Sequence, residues 1–314
     1  MDFDAFNGDA DGICSLVQLR LVDPRPNAML VTGPKRDIQL LERIDAKPGD
    51  RITALDISMA KNAAPLCRVL GQGAEVFYAD HHDPGDIPDH PGLTAQIVTK
   101  GEMCTAVIVD AYLDGAQRDW AIVGAFGDNM DRLAGRLAEG RDLPLDELRE
   151  LGRLINYNAY GASLDDLHYH PDALFKLLLD ASDPREAIGG EVMTALRSGH
   201  DRDRAAIRGA DVVHESEGSY AVILPDDASS RRISGIWANE LASAHPDRAH
   251  AILTDRGSAY QVSIRAPLAT RRGAVDLANQ FETGGGRAAA AGINVLPKSD
   301  LDGFLDALRR QFPG

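Results

Sequence analysis

Apolar positions along this chain follow two rhythms. Up to residue 80, short apolar runs alternate with stretches of helical spacing. Phe3–Phe6, Ala28–Thr32, Ile52–Leu55 and Ala74–Ala79 read as strands, and Ile13–Leu21 and Pro65–Leu70 as helices. Strands alternating with helices imply βαβ units and a parallel sheet covered on both faces. From Thr105 to about Arg208 the spacing turns helical. Ala106–Leu113, Trp120–Phe126, Leu145–Tyr157 and Ala173–Leu179 all carry apolar residues at helical intervals. The charged stretch Arg197–Arg208 reads as the tail of a connecting helix. After residue 210 the alternation returns, with strands at Tyr220–Leu224, Ala251–Thr254 and Tyr260–Arg265, and helices at Ile233–Ala242, Val275–Phe281 and Leu301–Arg309. The Ala/Gly run Gly284–Gly292 reads as a loop entering a helix. The pattern therefore predicts an α/β domain over 1–195, a connecting helix over 196–210, and a smaller α/β domain over 211–314.

A chain of 314 residues accommodates two such domains. Its net charge of −15 argues against coating long duplex nucleic acid, which requires a broad basic surface. A small phosphorylated substrate is compatible with that charge, because bound cations reverse the field inside one cleft. No apolar run approaches the roughly 20 residues of a membrane helix. The start, MDFDAF, lacks the features of a signal peptide, so a cytoplasmic location is expected. Cys14, Cys67 and Cys104 are scattered with no CxxC, and reduced, mostly buried thiols are expected.

Chemistry concentrates where strands end. In FNGDADGICS (residues 6–15), Asp9 and Asp11 stand two apart between a strand and a helix, with Gly8 and Gly12 freeing the turn. Hard divalent cations favour such oxygen ligands; a solvated Asp-rich turn is the bland alternative. Asp56 follows a strand in LDIS, where a helix N-cap is equally natural. In YADHHDPGD, Asp80, His81 and His82 are consecutive. Adjacent imidazoles beside a carboxylate suit Mn²⁺, Zn²⁺ or Fe²⁺. The remaining histidines read as surface positions or as supports for ligands. Asp128, in FGDNMD, is a candidate ligand at a helix end. In TGGGRAAAAG, Gly284, Gly285 and Gly286 would let a phosphate approach backbone N–H groups, and Arg287 would add a bidentate contact. In open parallel sheets, functional groups gather at the carboxyl ends of strands, and Asp9, Asp56 and Asp80 all stand at such ends.

Taken in order, these motifs resemble the DHH phosphoesterase superfamily, in its subset with a DHHA1 second domain. The resemblance spans nearly the whole chain. It implies a DHH domain and a DHHA1 domain with the active-site cleft between them, and two divalent metal ions, Mn²⁺ ahead of Mg²⁺. It implies that Asp9 binds one ion and Asp11 the other, that Asp56 bridges them, and that His81 and Asp128 complete the second site. Asp80 looks like a ligand or a partner of one, and His82 resembles the histidine that faces the scissile phosphate. Arg265, with Gly284–Arg287, looks like the substrate grip. The implied activity is two-metal hydrolysis of short nucleotide esters: short single-stranded oligonucleotides, dinucleotides or 3′-phosphonucleotides. A homodimer through the first domain is similarly implied.

Three positions depart from the family pattern. Ala5 stands where many members have His, Asn7 where RecJ-like members have Asp, and Arg287 where the glycine loop usually ends in His. Ala5 and Asn7 motivate the alternative: a member of this fold that binds a nucleotide or phosphate as a sensor or scaffold without hydrolysing it.

Overall fold

A computed structural model describes residues 1–99 and 103–314 and divides into two compact units, Met1–Gly199 and His200–Gly314. In the first unit, five parallel strands lie side by side: β1 (Asp2–Phe6), β2 (Met29–Val31), β3 (Arg51–Leu55), β4 (Glu75–Asp80) and β5 (Leu93–Ile97). Their spatial order is β2-β1-β3-β4-β5. Because β1, β3 and β4 are neighbours, the residues just beyond their carboxyl ends share one rim. β5 was absent from the sequence pattern: Leu93–Ile97 is short and only partly buried at the sheet edge, so it lacks an apolar run.

The helices of this unit are α1 (Ala10–Val22), α2 (Ala63–Gly71), α3 (Thr105–Tyr112), α4 (Arg118–Gly127), α5 (Asp131–Leu137), α6 (Leu145–Asn158), α7 (Pro171–Ala181) and α8 (Pro184–Ile188). Every residue of α1 from Ala10 to Arg20 is buried, because the helix is enclosed by the sheet and by α3, α4 and α7. Small residues permit that enclosure. A Cβ on Gly124 would lie 2.5 Å from the Ala106 Cβ, and one on Gly127 would lie 2.2 Å from the Ala10 Cβ. A buried ion pair pins α1 to the sheet: Arg20 donates through Nε to Asp4 Oδ2 (2.8 Å) and through Nη2 to Asp4 Oδ1 (2.6 Å) and Thr53 Oγ1 (2.8 Å). Paired in this bidentate way, the two buried charges are tolerated.

A long helix, α9 (Glu191–Ala206), begins in the first unit and ends in the second. The second unit contains β6 (Asp211–Glu215), β7 (Ser219–Leu224), α10 (Ala228–Ala244), β8 (Ala249–Asp255), β9 (Ala259–Arg265), α11 (Ala274–Ala278), β10 (Gly284–Gly286), β11 (Ala290–Pro297) and α12 (Leu301–Gln311). Its six strands form one mixed sheet in the order β10-β11-β9-β8-β7-β6, parallel only between β7 and β8. Among the described residues, no helix is long and apolar enough to cross a membrane.

Two sequence expectations are corrected here. Gly284–Gly292 is not a loop entering a helix but most of a hairpin, β10 pairing with β11. The alanines favour helix in isolation, yet β9 offers β11 an edge, with Ala290 paired to Arg265 and Ala291 to Ile264. Tertiary pairing overrides the local preference. His250 and His214 are not surface residues. His250 sits on β8, where six successive positions are buried because the strand is covered on both faces.

Candidate metal centre

The turn from β1 into α1 is closed by side chains and by two glycines. Asp9 caps α1: its Oδ1 accepts from the backbone N–H of Asp11 and of Gly12, each at 3.1 Å. Asn7 Oδ1 accepts from the Asp9 N–H at 3.3 Å. A Cβ on Gly8 would lie 2.1 Å from the Gly33 carbonyl oxygen, and one on Gly12 would lie 2.2 Å from the Asn7 carbonyl oxygen. Only glycine fits either place, so the backbone folds tightly enough to bring Asp9 and Asp11 to the rim.

Asp11 is the first-turn acid of α1 and also meets the start of α3. Its Oδ2 accepts from Thr105 N–H at 2.8 Å and its Oδ1 from Ala106 N–H at 2.6 Å. Those are free N–H groups at a helix N-terminus, where negative charge is favoured. Asp56 directly follows β3 in a left-handed conformation, φ 56°, and its Oδ1 accepts from Thr105 Oγ1 at 3.2 Å. A non-glycine residue held there stores backbone strain, which persists only where the surroundings impose it. Asp128 follows α4, and the tight contact of Gly127 with Ala10 carries it toward Asp9 and Asp11.

The imidazole of His81 is the point on which these groups converge. Its Nε2 lies 3.5 Å from Asp56 Oδ1, 3.9 Å from Asp11 Oδ2 and 4.0 Å from Asp128 Oδ2. One donor atom each from Asp11, His81 and Asp128 lie within 4.8 Å of one another, as do one each from Asp56, His81 and His82. Asp80 ends β4 and is wholly buried; its Oδ1 holds His82 Nδ1 at 2.7 Å. Its Oδ2 has no hydrogen-bond partner among the described residues. Asp80 thus orients His82 and falls outside both donor groups.

The electrostatics call for a cation. Burial pushes the Asp56 carboxyl well above the usual carboxylate range, and the charges of Asp11, Asp9, Asp128 and Asp80 push it further. Asp128 is pushed up to about 6, by burial first, with Asp11 and Asp9 raising it and Lys35 opposing them. Asp9 behaves differently. Burial acts to raise it, but the Lys35 ammonium outweighs burial and holds it low. Lys35 Nζ donates to Asp9 Oδ2, lies 3.7 Å from Asp128 Oδ1, and reaches Asn156 Oδ1 at 3.3 Å. Clustered carboxylates beside an imidazole are the donor types a hard or borderline divalent cation takes. Asp11, Asp56, His81 and Asp128 fit such an ion.

Lys35 carried no sequence signal, because GPKRD resembles any charged turn. The available clue was topological: the segment after β2 must emerge at the rim that β1 shares. Thr105 was likewise missed as a hydroxyl and N–H donor to two of the carboxylates.

In the second unit, Arg265 ends β9. It donates through Nε to Asn239 Oδ1 of α10 at 2.8 Å and through Nη1 to Ser263 Oγ at 3.2 Å. Arg287 is exposed, and its backbone closes the β10–β11 turn against Ala290, the residue paired with Arg265. Arg265 and Arg287 are thereby brought to one end of the sheet. Of the three glycines, Gly284 is a packing position: a Cβ there would lie 1.8 Å from the Ala278 carbonyl oxygen. Gly285 faces open space, with no described atom within 4 Å of such a Cβ.

No family model matches this sequence, and no curated protein does. Solved structures match nearly the whole chain. A DHH domain from a protein described as a member of a ribosomal-protein family has a TM-score of 0.66 at 15% identity, covering 99% of this chain and 86% of its own. Exonuclease RecJ bound to manganese has a TM-score of 0.62 at 18% identity, covering 98% of this chain and 89% of its own. A pGpG-specific phosphodiesterase from Vibrio cholerae has a TM-score of 0.57 at 15% identity, covering 99% and 98%. At these identities the likeness is one of fold, and this chain has the α/β fold of the DHH-domain proteins.

Proposed function

We propose that this protein is a divalent-metal-dependent phosphoesterase acting on short nucleotide substrates. The observation that carries the proposal is the convergence of Asp11, Asp56 and Asp128 on His81 at the rim of a parallel sheet. Beside them stands His82, aimed by a buried aspartate. The fold is shared with an exonuclease crystallised with manganese and with a dinucleotide phosphodiesterase, which favours Mn²⁺ and a nucleotide ester.

Asp11, Asp56, His81 and Asp128 would hold the cation, which would supply Lewis acidity toward a phosphoryl oxygen and toward water. The chain's own residues do the rest. Thr105 Oγ1 and the Thr105 and Ala106 N–H groups fix the Asp56 and Asp11 carboxylates so that they do not turn away. His82, held through Nδ1 by Asp80, presents Nε2 to a phosphoryl oxygen or to the leaving group. Within the second unit, Arg265 and Arg287 carry planar guanidinium groups of the kind that bind phosphate. The part of Arg287 is binding.

The test is a panel of dinucleotide, short oligonucleotide, 3′-phosphonucleotide and pyrophosphate, incubated with Mn²⁺ and after chelation, with products identified by mass. Mn²⁺-dependent release of nucleotide from one of the first three is expected. Tight nucleotide binding with no turnover of any compound would replace this reading with that of a non-hydrolysing sensor.

A further inference from the structure

We propose that the Lys35 ammonium occupies the cation position beside Asp9, so that the site takes one divalent ion where the family resemblance implies two. This rests on the phosphoesterase reading and refines it. Both Asp9 oxygens are already engaged: Oδ1 accepts from the α1 N–H groups of Asp11 and Gly12, and Oδ2 accepts from Lys35 Nζ. The same ammonium reaches Asn156 Oδ1 at 3.3 Å and lies 3.7 Å from Asp128 Oδ1. The ammonium thus hydrogen-bonds two oxygens and forms an ion pair with a third.

Lys35 is built into this place. Its backbone N–H donates to the Ala159 carbonyl at 2.9 Å, at the end of α6. Its own carbonyl accepts from Asn7 Nδ2 at 3.3 Å. That second bond needs an amide, since an ionised carboxylate at position 7 has no proton to donate. Asn7 is therefore a positioning residue for the lysine, which accounts for a neutral side chain in an otherwise anionic motif.

Around the ammonium, among the described residues, Asp9 is the one carboxylate not also grouped with His81, the other oxygens being the Asn156 amide and Asp128. Ala5, on β1 below the turn, is fully buried and presents only a methyl group. A divalent ion in the place of the ammonium would find Asp9 Oδ2 and the neutral Asn156 Oδ1, and would have to share Asp128 with the ion on the other side. With Lys35 present it would also face the ammonium at close range, where like charges repel strongly. On the other side, Asp11, Asp56, His81 and Asp128 form a full set without disturbing Lys35. The fixed charge does part of what a second ion would do: it neutralises Asp9 and keeps a positive group facing Asp128.

The experiment is Mn²⁺ titration of the metal-stripped full-length chain by calorimetry, with electron paramagnetic resonance on the loaded protein. One ion per chain and the spectrum of isolated Mn²⁺ are expected. Lys35→Met keeps the apolar stem and removes the charge. It is expected to bind a second ion and to show the spectrum of a spin-coupled pair. Two coupled ions in the unaltered protein, with hydrolysis intact, would overturn the lysine proposal and leave the phosphoesterase reading standing. No bound ion and no metal-dependent hydrolysis would remove both. A single ion in both proteins would overturn the claim that Lys35 excludes the second. The count for the unaltered chain decides the matter even if Lys35→Met does not fold.

Discussion

Nδ1 of His82 lies 2.7 Å from Oδ1 of the wholly buried Asp80. The contact sets the direction of the ring and, in the proposed reaction, leaves Nε2 to the substrate. Removing such an orienting carboxylate typically costs about 10–100-fold in activity or metal affinity. Asp80→Asn is therefore expected to lower turnover of the best substrate by about that factor while the chain stays folded. Steady-state kinetics beside circular dichroism checks this. Unchanged turnover would mean that His82 needs no such support.

Asp56 is expected to trade stability against function. Its carboxyl is raised well above the ordinary range by burial and by the charges around it. With the folded value raised, the native state binds the proton more tightly than the unfolded chain. The metal-free protein should therefore lose stability as pH rises above the ordinary carboxylate range, until the folded group itself ionises. Asp56→Asn removes that penalty and keeps a residue type that tolerates φ 56°. At neutral pH the metal-free variant should be about 1–2 kcal/mol more stable, as is common when a strained functional site is relaxed. Mn²⁺ binding and hydrolysis should be lost. Urea unfolding without metal, paired with calorimetry, reads both effects.

Gly284 and Gly285 should separate packing from binding. A Cβ on Gly284 would meet the Ala278 carbonyl, whereas one on Gly285 meets no described atom within 4 Å. Gly284→Ala should cost about 1–3 kcal/mol, the usual cost of forcing extra volume into a packed place. Gly285→Ala should leave stability within about 0.5 kcal/mol. Gly285→Ala is expected to weaken phosphate binding by the second unit, so phosphate affinity and the unfolding midpoint measured on the same two variants give the answer.

His250 provides a pH test confined to the second unit. Burial pushes its imidazole down from the ordinary 6.5 to about 4, and its Nδ1 has no hydrogen-bond partner among the described residues. The unfolded chain takes up the proton first, so stability is lost as pH falls below about 6.5, and the loss is complete near pH 4. A depression of that size corresponds to about 3 kcal/mol. His250→Leu should abolish this component. The difference between the two proteins, followed by urea unfolding from pH 7 to 4, should shift progressively in favour of the variant. A constant difference would show that His250 does not titrate on unfolding.

Much of the fold was written in local pattern. The runs at Phe3, Ile52 and Ala74 announce central strands because buried parallel strands need continuous apolar side chains. The acids Asp9, Asp56 and Asp80 stand at their ends in the sequence itself. Local pattern could not show β5, whose edge position leaves it half-exposed, or the fate of GGGRAAAAG, where the free edge of β9 outweighs the helix preference of alanine. It could not show that α1 is buried on every side, which depends on glycines 124 and 127 of a distant helix. Lys35 is the clearest case. A lysine in a charged turn has no periodicity, and its meaning arises only because β2 pairs beside β1 and carries it to Asp9. Periodicity records which face of an element is buried, so it determines elements and their order. Which charges meet is set by strand order and close helix packing, and those exist only once the chain has folded.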